Sequence, residues 1–500
     1  MSTHHWKIPQ HHMLRMIPSP VTFERSLVEA NALPTTPATP PSRPPTPVAT
    51  PSATTPPSTG GTVIVGAGPA ALAVATMLRC HDLGPVEVID PNGGWLTAWH
   101  HRFAAQSIAH LRSPSVHHPH PDPFALLATA GADDLVRSGQ ANLPTTDAFA
   151  RFTADLVVAA DLADAITASS VEAIDVLADG TGLLRIADGT LRRPDRVVLA
   201  TNRRNPNLLP ALDGREAAHP AVRQGDRCDV RRAPEGGHVV VIGGGLSAAH
   251  LCVGAASRGA LVTLVARSRL RVRRYDTHPT WLGPRKLRPF RAEVDPVIRH
   301  RMLAAARGGG TMPHRNRVAL QHLEDTGQLR LRERCELTGV DTAGDALLLC
   351  LDDREVMLAD ELWCATGGRI DVLTDPLLTQ LRHHRPTAVA GGLPDLDDHL
   401  TWPGTNVHLI GAAAGLVLGP TAGNLIGHRR AAQRITAALR GLDPERADRI
   451  TTGTGACPGL GSWPPTTRPR HGSAQASHGS ARPRPAPAPE RADLHARESS

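Results

Sequence analysis

A chain of 500 residues is too long for one ordinary core and suits two or three lobes. Its net charge of +7 sits largely at the ends: residues 1–60 hold four basic against two acidic residues, and 461–500 hold six against three. The near-neutral middle argues against a nucleic-acid surface, and seven scattered cysteines without a C-x-x-C pair argue against a disulfide framework and a zinc ribbon. Among 54 basic residues only Lys7 and Lys286 are lysines, so arginine is the default cation and a single arginine carries little information.

Residues 1–60 open the chain with a Pro/Thr/Ser-rich stretch that cannot bury a core and is expected to be disordered. The same holds for 453–500, which contains RPRPAPAPERA. Between them, short apolar strands alternate with glycine turns and alanine-rich helices, the pattern of parallel, doubly wound sheets. The first unit, TVIVGAGPAALAVATMLRCHDLGPVEVID, carries Gly66-x-Gly68-x-x-Ala71 directly after the strand 62–65. The first glycine allows the tight turn, the second lets backbone approach a diphosphate, and the small third residue lets helix and strand pack closely. Asp90, 24 positions after Gly66, ends the next strand and can accept hydrogen bonds from ribose hydroxyls.

Two strands elsewhere end in related triplets, RVVLATN at 196–202 and ELWCATG at 361–367. Between them lies the second unit, HVVVIGGGLSAAHLCVGAASRGALVTLVAR, with Gly243-x-Gly245-x-Ser247-Ala248 after the strand 238–242. Arg267 stands 24 positions after Gly243, the spacing of Asp90 from Gly66. A carboxylate there would repel a ribose 2′-phosphate, whereas a guanidinium binds it bidentately, with Arg269 as a second contact. The second unit is therefore read as an NADPH site and the first as a site for a dinucleotide with free ribose hydroxyls. The histidine run His117-His118-Pro119-His120-Pro121-Asp122 has no cysteine or second acid nearby and is expected to be a surface loop rather than a metal site. No metal is expected. The longest apolar stretch, LIGAAAGLVLG, is too short to span a bilayer, so a soluble, cytoplasmic protein without membrane or nucleic-acid partners is expected.

From 61 to about 440 this order of parts resembles the flavin-containing and the lysine/ornithine N-hydroxylating monooxygenases, and more distantly the pyridine-nucleotide reductases. The resemblance implies two Rossmann-like domains. An FAD domain (61–232 and 341–440) is interrupted by an NADPH domain (233–340), and the triplets Ala200-Thr201-Asn202 and Ala365-Thr366-Gly367 mark the return strands. Gly93-Gly94-Trp95 resembles a G-G-x-W element without its spacer, and Trp99-His100-x-x-Phe103 a W-H-x-x-M element, which places Trp95, Trp99 and His100 near FAD. HLRSP at 110–114 echoes an L-R-x-P segment. In the late segment VHLIGAAAGLVLGPTAGNLIGHRRAA, Gly411 would stand near the ribityl chain, while Gly419 and Thr421 precede a helix aimed at the flavin pyrimidine. Gly411-Ala412 departs from the Gly-Asp of the reductases, and no redox cysteine pair exists. LDGREAAHPAV at 212–222 only partly matches an F-x-G-x-x-x-H-x-x-x-W/Y signature: His219 arrives one residue late and Arg223 replaces the aromatic.

The implied activity is oxygenation of a nucleophilic nitrogen or sulfur by a C4a-hydroperoxyflavin, with a small molecule and O2 as partners. The alternatives are an NADPH-dependent flavin oxidoreductase or oxidase without oxygen insertion, and a non-catalytic flavin-binding redox sensor. The RRYDTHPTWLGPRKLRPF stretch, with Asp276, Pro279 and Trp281, stands where N-hydroxylases read their amino acid, but it lacks their Asn-Glu pair.

Overall fold

The computed structural model describes residues 59–201, 204–212 and 214–443. Both tails expected to be disordered, and Asn202 of the first triplet, lie outside the described residues. In chain order the strands of the two main sheets are β1 (Thr62–Val65), β2 (Val86–Asp90), β3 (Ile166–Ala168), β4 (Arg196–Leu199), β5 (Val222–Gln224), β6 (His238–Ile242), β7 (Leu261–Ala266), β8 (Leu329–Glu333), β9 (Glu361–Cys364) and β10 (Val407–Leu409). The main helices are α1 (Pro69–Cys80), α2 (Thr97–Ala105), α3 (Thr146–Ala159), α4 (Leu246–Ser257), α5 (Pro284–Ala292), α6 (Pro296–Arg307), α7 (His314–Asp325) and α8 (Leu425–Leu439).

Two five-stranded parallel sheets result, in the orders β10-β4-β1-β2-β3 and β5-β9-β6-β7-β8. They have one plan. Each begins with a strand, a glycine turn, an alanine-rich helix and a second strand. Each then adds an antiparallel three-stranded meander, Val171–Val176, Gly182–Ile186 and Leu191–Arg192 in the first, Leu337–Ala343, Ala346–Leu351 and Val356–Ala359 in the second, before returning beside its first strand. β1 is buried throughout, as a strand covered on both faces must be. α1 buries every residue except Arg79, because its alanines let it lie close to the sheet and to α8.

The second sheet draws β5 and β9 from outside 233–340, the span expected for the inserted lobe. The chain leaves the first sheet through Asn205–Pro206 and comes back through Gly368–Arg369, and these two crossings pair antiparallel. Among the described residues no helix is long and apolar enough to cross a membrane.

Candidate functional site: two dinucleotide cradles

The first turn is built to receive a ligand. Gly66 has φ +98°, and a Cβ there would lie 3.2 Å from the Ala200 carbonyl oxygen. The first triplet thus closes against the first glycine, and the position admits no side chain. Gly68 is different: a Cβ there would meet nothing within 4 Å, so its freedom keeps space open at the N-terminus of α1. No side chain caps that terminus, and Pro69 begins the helix. Ala71 is fully buried, as close helix–strand packing requires. The Asp90 carboxylate holds the turn, accepting from the Ala67 amide (2.9 Å) on one oxygen and from the Asn92 amide and side chain (2.8 and 2.9 Å) on the other. The oxygen that accepts from Ala67 retains a further lone pair for a ribose hydroxyl.

The Gly93–Leu96 segment folds back onto this turn, with the Leu96 amide donating to Ala67 (2.8 Å) and Leu96 in the left-handed region at φ 56°. α2 follows. Trp99 stacks on Phe103 with ring centroids 4.4 Å apart, and its indole N–H is buried without a partner among the described residues. Trp95 instead donates its indole N–H to the Leu162 carbonyl (2.9 Å), which fixes its ring on the chain leading into β3. His100 is half-buried and its pKa is lowered, first by burial and then by His101.

The closing segment comes back beside β4. Gly411 is buried with φ +73°, and the Ile410 amide donates to Leu199 (3.2 Å). Gly419 (φ +84°) packs beside Leu287 of α5. The Thr421 hydroxyl is buried and unpartnered, and α8 starts four residues later, after Asn424. Asn424 donates to Asp276 (3.3 Å), which also receives Arg307 (3.3 Å), and Arg307 reaches the Pro420 carbonyl (3.1 Å). Arg204 lies beside Gly423 in the same turn. Orphaned hydroxyl and indole groups together with an uncapped helix start fit a bound FAD.

The second turn repeats the first. Gly243 has φ +151°, and a Cβ there would stand 2.6 Å from the Ala365 carbonyl oxygen, so the second triplet closes on the second turn as Ala200 does on the first. Ala248 is fully buried and Ser247 is exposed near the start of α4, which has no side-chain cap and no acid in its first turn. Arg267 and Arg269 are exposed, and among the described residues neither has a hydrogen-bond or ion-pair partner.

One expectation needs correction. Val65 pairs with Ile89, but Ile242 pairs with Val265, so the strict counterpart of Asp90 is Ala266. Arg267 stands one residue further out, beyond the strand end, because the second unit is one residue shorter between its two strands. That shift leaves the buried position to Ala266 and lifts the Arg267 guanidinium into solvent.

No motif or spacing points to the loop Gly308–Gly310. A Cβ on Gly310 would lie 3.0 Å from both the amide nitrogen and the Cα of Gly245, so the loop rests on the second cradle. It is tied down by Met312 pairing with Arg271 and Arg273 (3.0 and 2.9 Å). Arg112, from the HLRSP segment, spans the two lobes. Its guanidinium donates to the carbonyls of Arg273 (2.8 Å) and Arg274 (3.0 Å) and to the Thr311 hydroxyl (2.9 Å), while burial lowers its pKa. In a chain where arginine is the default cation, no spacing separates this one from the rest.

One further expectation changes. The run 117–122 is not a surface loop: His118 and His120 are buried with their rings near Phe152, at 4.8 and 6.5 Å between centroids. Its prolines turn the run inward, and burial reinforced by Arg429 holds His118 far below the ordinary histidine range and His117 at about 4. They fill the interior as neutral rings. Arg223 holds β5 to β9 through two 2.9 Å bonds to Glu361, and the His219 ring accepts only the nearby Ala221 amide (3.2 Å). Among the described residues Cys335, Asp352 and Asp353 alone bring metal-ligand atoms within 4.8 Å of one another, and Arg332 already pairs with Asp353.

Residues 61–279 match the family model described as pyridine nucleotide-disulphide oxidoreductase. No curated protein matches the sequence significantly. Similar solved structures include the ornithine N-hydroxylase of Kutzneria sp. 744 with reduced FAD, NADP+ and L-ornithine (TM-score 0.60, 17% identity, 76% of this chain and 98% of that one). Another is the ornithine hydroxylase of Pseudomonas aeruginosa (0.61, 16%, 76% and 98%). A third is the FAD-bound cadaverine monooxygenase of desferrioxamine biosynthesis from Erwinia amylovora (0.61, 15%, 77% and 95%). At such identities the likeness is one of fold. The fold is that of the N-hydroxylating flavin monooxygenases, and within it residues 61–279 are similar to the pyridine nucleotide-disulphide oxidoreductase family.

Proposed function

We propose that this chain is an FAD- and NADPH-dependent monooxygenase that places oxygen on a nucleophilic nitrogen or sulfur of a small molecule. The observation that carries this reading is the pair of matched cradles. One is followed by a carboxylate at the strand end, the other by two guanidiniums, Arg267 one residue and Arg269 three residues further out, neither with a partner among the described residues. The similarity to ornithine and cadaverine monooxygenases supports the same class.

Bound flavin supplies electron transfer from the nicotinamide and the activation of oxygen. The chain's own residues supply placement. The free amides at the start of α1 receive one diphosphate and Asp90 the ribose hydroxyls, while Trp99 and the Thr421 hydroxyl offer buried polar contacts. α4 receives the second diphosphate, with Arg267 and Arg269 on the 2′-phosphate. Nothing in this scheme requires a side-chain nucleophile or acid–base pair, and the two turns hold none.

The test starts from protein reduced by NADPH without air. Oxygen is then readmitted and hydrogen peroxide is followed in time. A monooxygenase reoxidises with delayed peroxide release, because water is kept from the site. Immediate, stoichiometric peroxide would contradict the reading in favour of an oxidase.

A further inference from the structure

A cavity of about 990 Å³ opens between the segment Arg273–Trp281 and helices α5 and α6. Its apolar wall includes Trp281, Pro289 and Met302, with Trp281 edge-on to Phe290 at 5.8 Å. Its charged lining consists of Arg273, Arg274 and Lys286, and no carboxylate lines it. The one acid in the adjoining segment, Asp276, is already engaged by Arg307 and Asn424.

Composition makes this lining informative. Lys286 is one of two lysines in the chain and Tyr275 is its single tyrosine, and both line the same cavity. Arginine serves nearly every other cationic position, so this lining stands apart from the rest of the surface by composition. The cavity wall also carries Thr277, whose hydroxyl is buried and has no partner among the described residues.

The cavity adjoins the first cradle. Asp276 bonds Asn424 just ahead of α8, Arg307 at the end of α6 reaches Pro420, and Leu287 of α5 packs on Gly419. We infer that this cavity is the substrate site and that its substrate is an anionic small molecule, a carboxylate on an apolar body that bears the nucleophilic sulfur or uncharged nitrogen, rather than a cationic amine. The inference rests on the flavoenzyme reading for the word substrate, but the charge preference stands on the cavity alone. The volume is ample for one such molecule. A cationic amine would meet like charges with no carboxylate to receive it, whereas an acid meets Arg273 and Lys286 at the rim and apolar carbon within.

The experiment is a calorimetric titration of the purified holoprotein near neutral pH with octanoate, octylamine and octanol, which share a body and differ in charge. Octanoate is expected to bind, octylamine to give no heat of binding and octanol to bind more weakly than the acid. Lys286→Glu should weaken octanoate by about tenfold and Lys286→Arg should restore it, position 286 being solvent-exposed and outside the core. Octylamine binding as tightly as octanoate, or octanoate unaffected by Lys286→Glu, overturns the assignment. So does competition of NADP+ with octanoate, which would make the rim part of the dinucleotide site. Flavin content and anaerobic reduction by NADPH are read on the same samples. Charge selectivity without flavin reduction supports the anion site while overturning the flavoenzyme reading. Flavin reduction without charge selectivity does the reverse.

Discussion

At the scale of the residue, the two cradles differ from each other more than their shared spacing suggests. Gly66 and Gly243 cannot carry side chains because each abuts a carbonyl of its return triplet. Gly68 faces open space with φ −78°, so the fold tolerates a side chain there and only a ligand would object. Gly68→Val should therefore abolish FAD retention while leaving the unfolding midpoint of the apoprotein unchanged. Measured flavin content with a parallel melt checks this, and stoichiometric FAD in the variant would displace the diphosphate from α1. Arg267 was legible as an unusual cation, but its level along the strand was not. Counting 24 residues from each glycine cannot register a strand that pairs at an offset of 23. If it binds the 2′-phosphate, Arg267→Ala should raise the NADPH concentration for half-reduction by roughly tenfold and leave that for NADH nearly unaltered. Equal losses for both nucleotides would make Arg267 a structural residue, and no loss would assign the phosphate to Arg269 or another cation.

At the scale of the element, strand, glycine turn and helix could be read from period and glycine spacing, because local geometry dictates both. What tertiary structure added was not local. The first meander did carry local signals, Asp179-Gly180 and Asp188-Gly189 at its two turns, but its place between the second strand and the return strand is a matter of topology. The burial of His118 and His120 depends on Phe152, more than thirty residues away, so a polar-looking run became interior. The loop Gly308–Gly310 carries no spacing or motif that sets it apart in the sequence. It lies on Gly245, where the proposed NADPH site would bring a diphosphate close to the same backbone. Gly310→Ala puts a methyl 3.0 Å from Gly245 and must push the loop outward. The expected outcome is a change of several-fold, about threefold or more, in the NADPH needed for half-reduction, with FAD content unaltered. Titrations of the variant and the parent check it, and identical curves would show that the loop does not border the nucleotide.

At the scale of the whole molecule, several buried imidazoles couple stability to acidity. His120, His250 and His428 are each lowered to about 4, burial being the largest cause in every case. In the unfolded chain they would take up protons near 6.5, so between pH 6.5 and 4 the unfolded state binds more protons than the folded one. Their stabilisation is complete above 6.5 and is lost as the pH falls toward 4, at up to about 1.4 kcal/mol per pH unit for each fully titrating group. Thermal melts should show a midpoint falling steadily across that window, and His428→Gln should flatten the slope; a constant midpoint would contradict neutral burial. The plan of two parallel sheets, each closed by its own triplet, leads to one central claim: electrons enter from NADPH at the second cradle and reach FAD at the first. Its most direct test is an anaerobic titration of the purified protein with NADPH and, separately, NADH, followed at the flavin absorption band. The account predicts a yellow protein, bleached by about one equivalent of NADPH and requiring roughly tenfold or more NADH for the same bleaching. A colourless protein, or flavin that stays oxidised under excess NADPH, would contradict it.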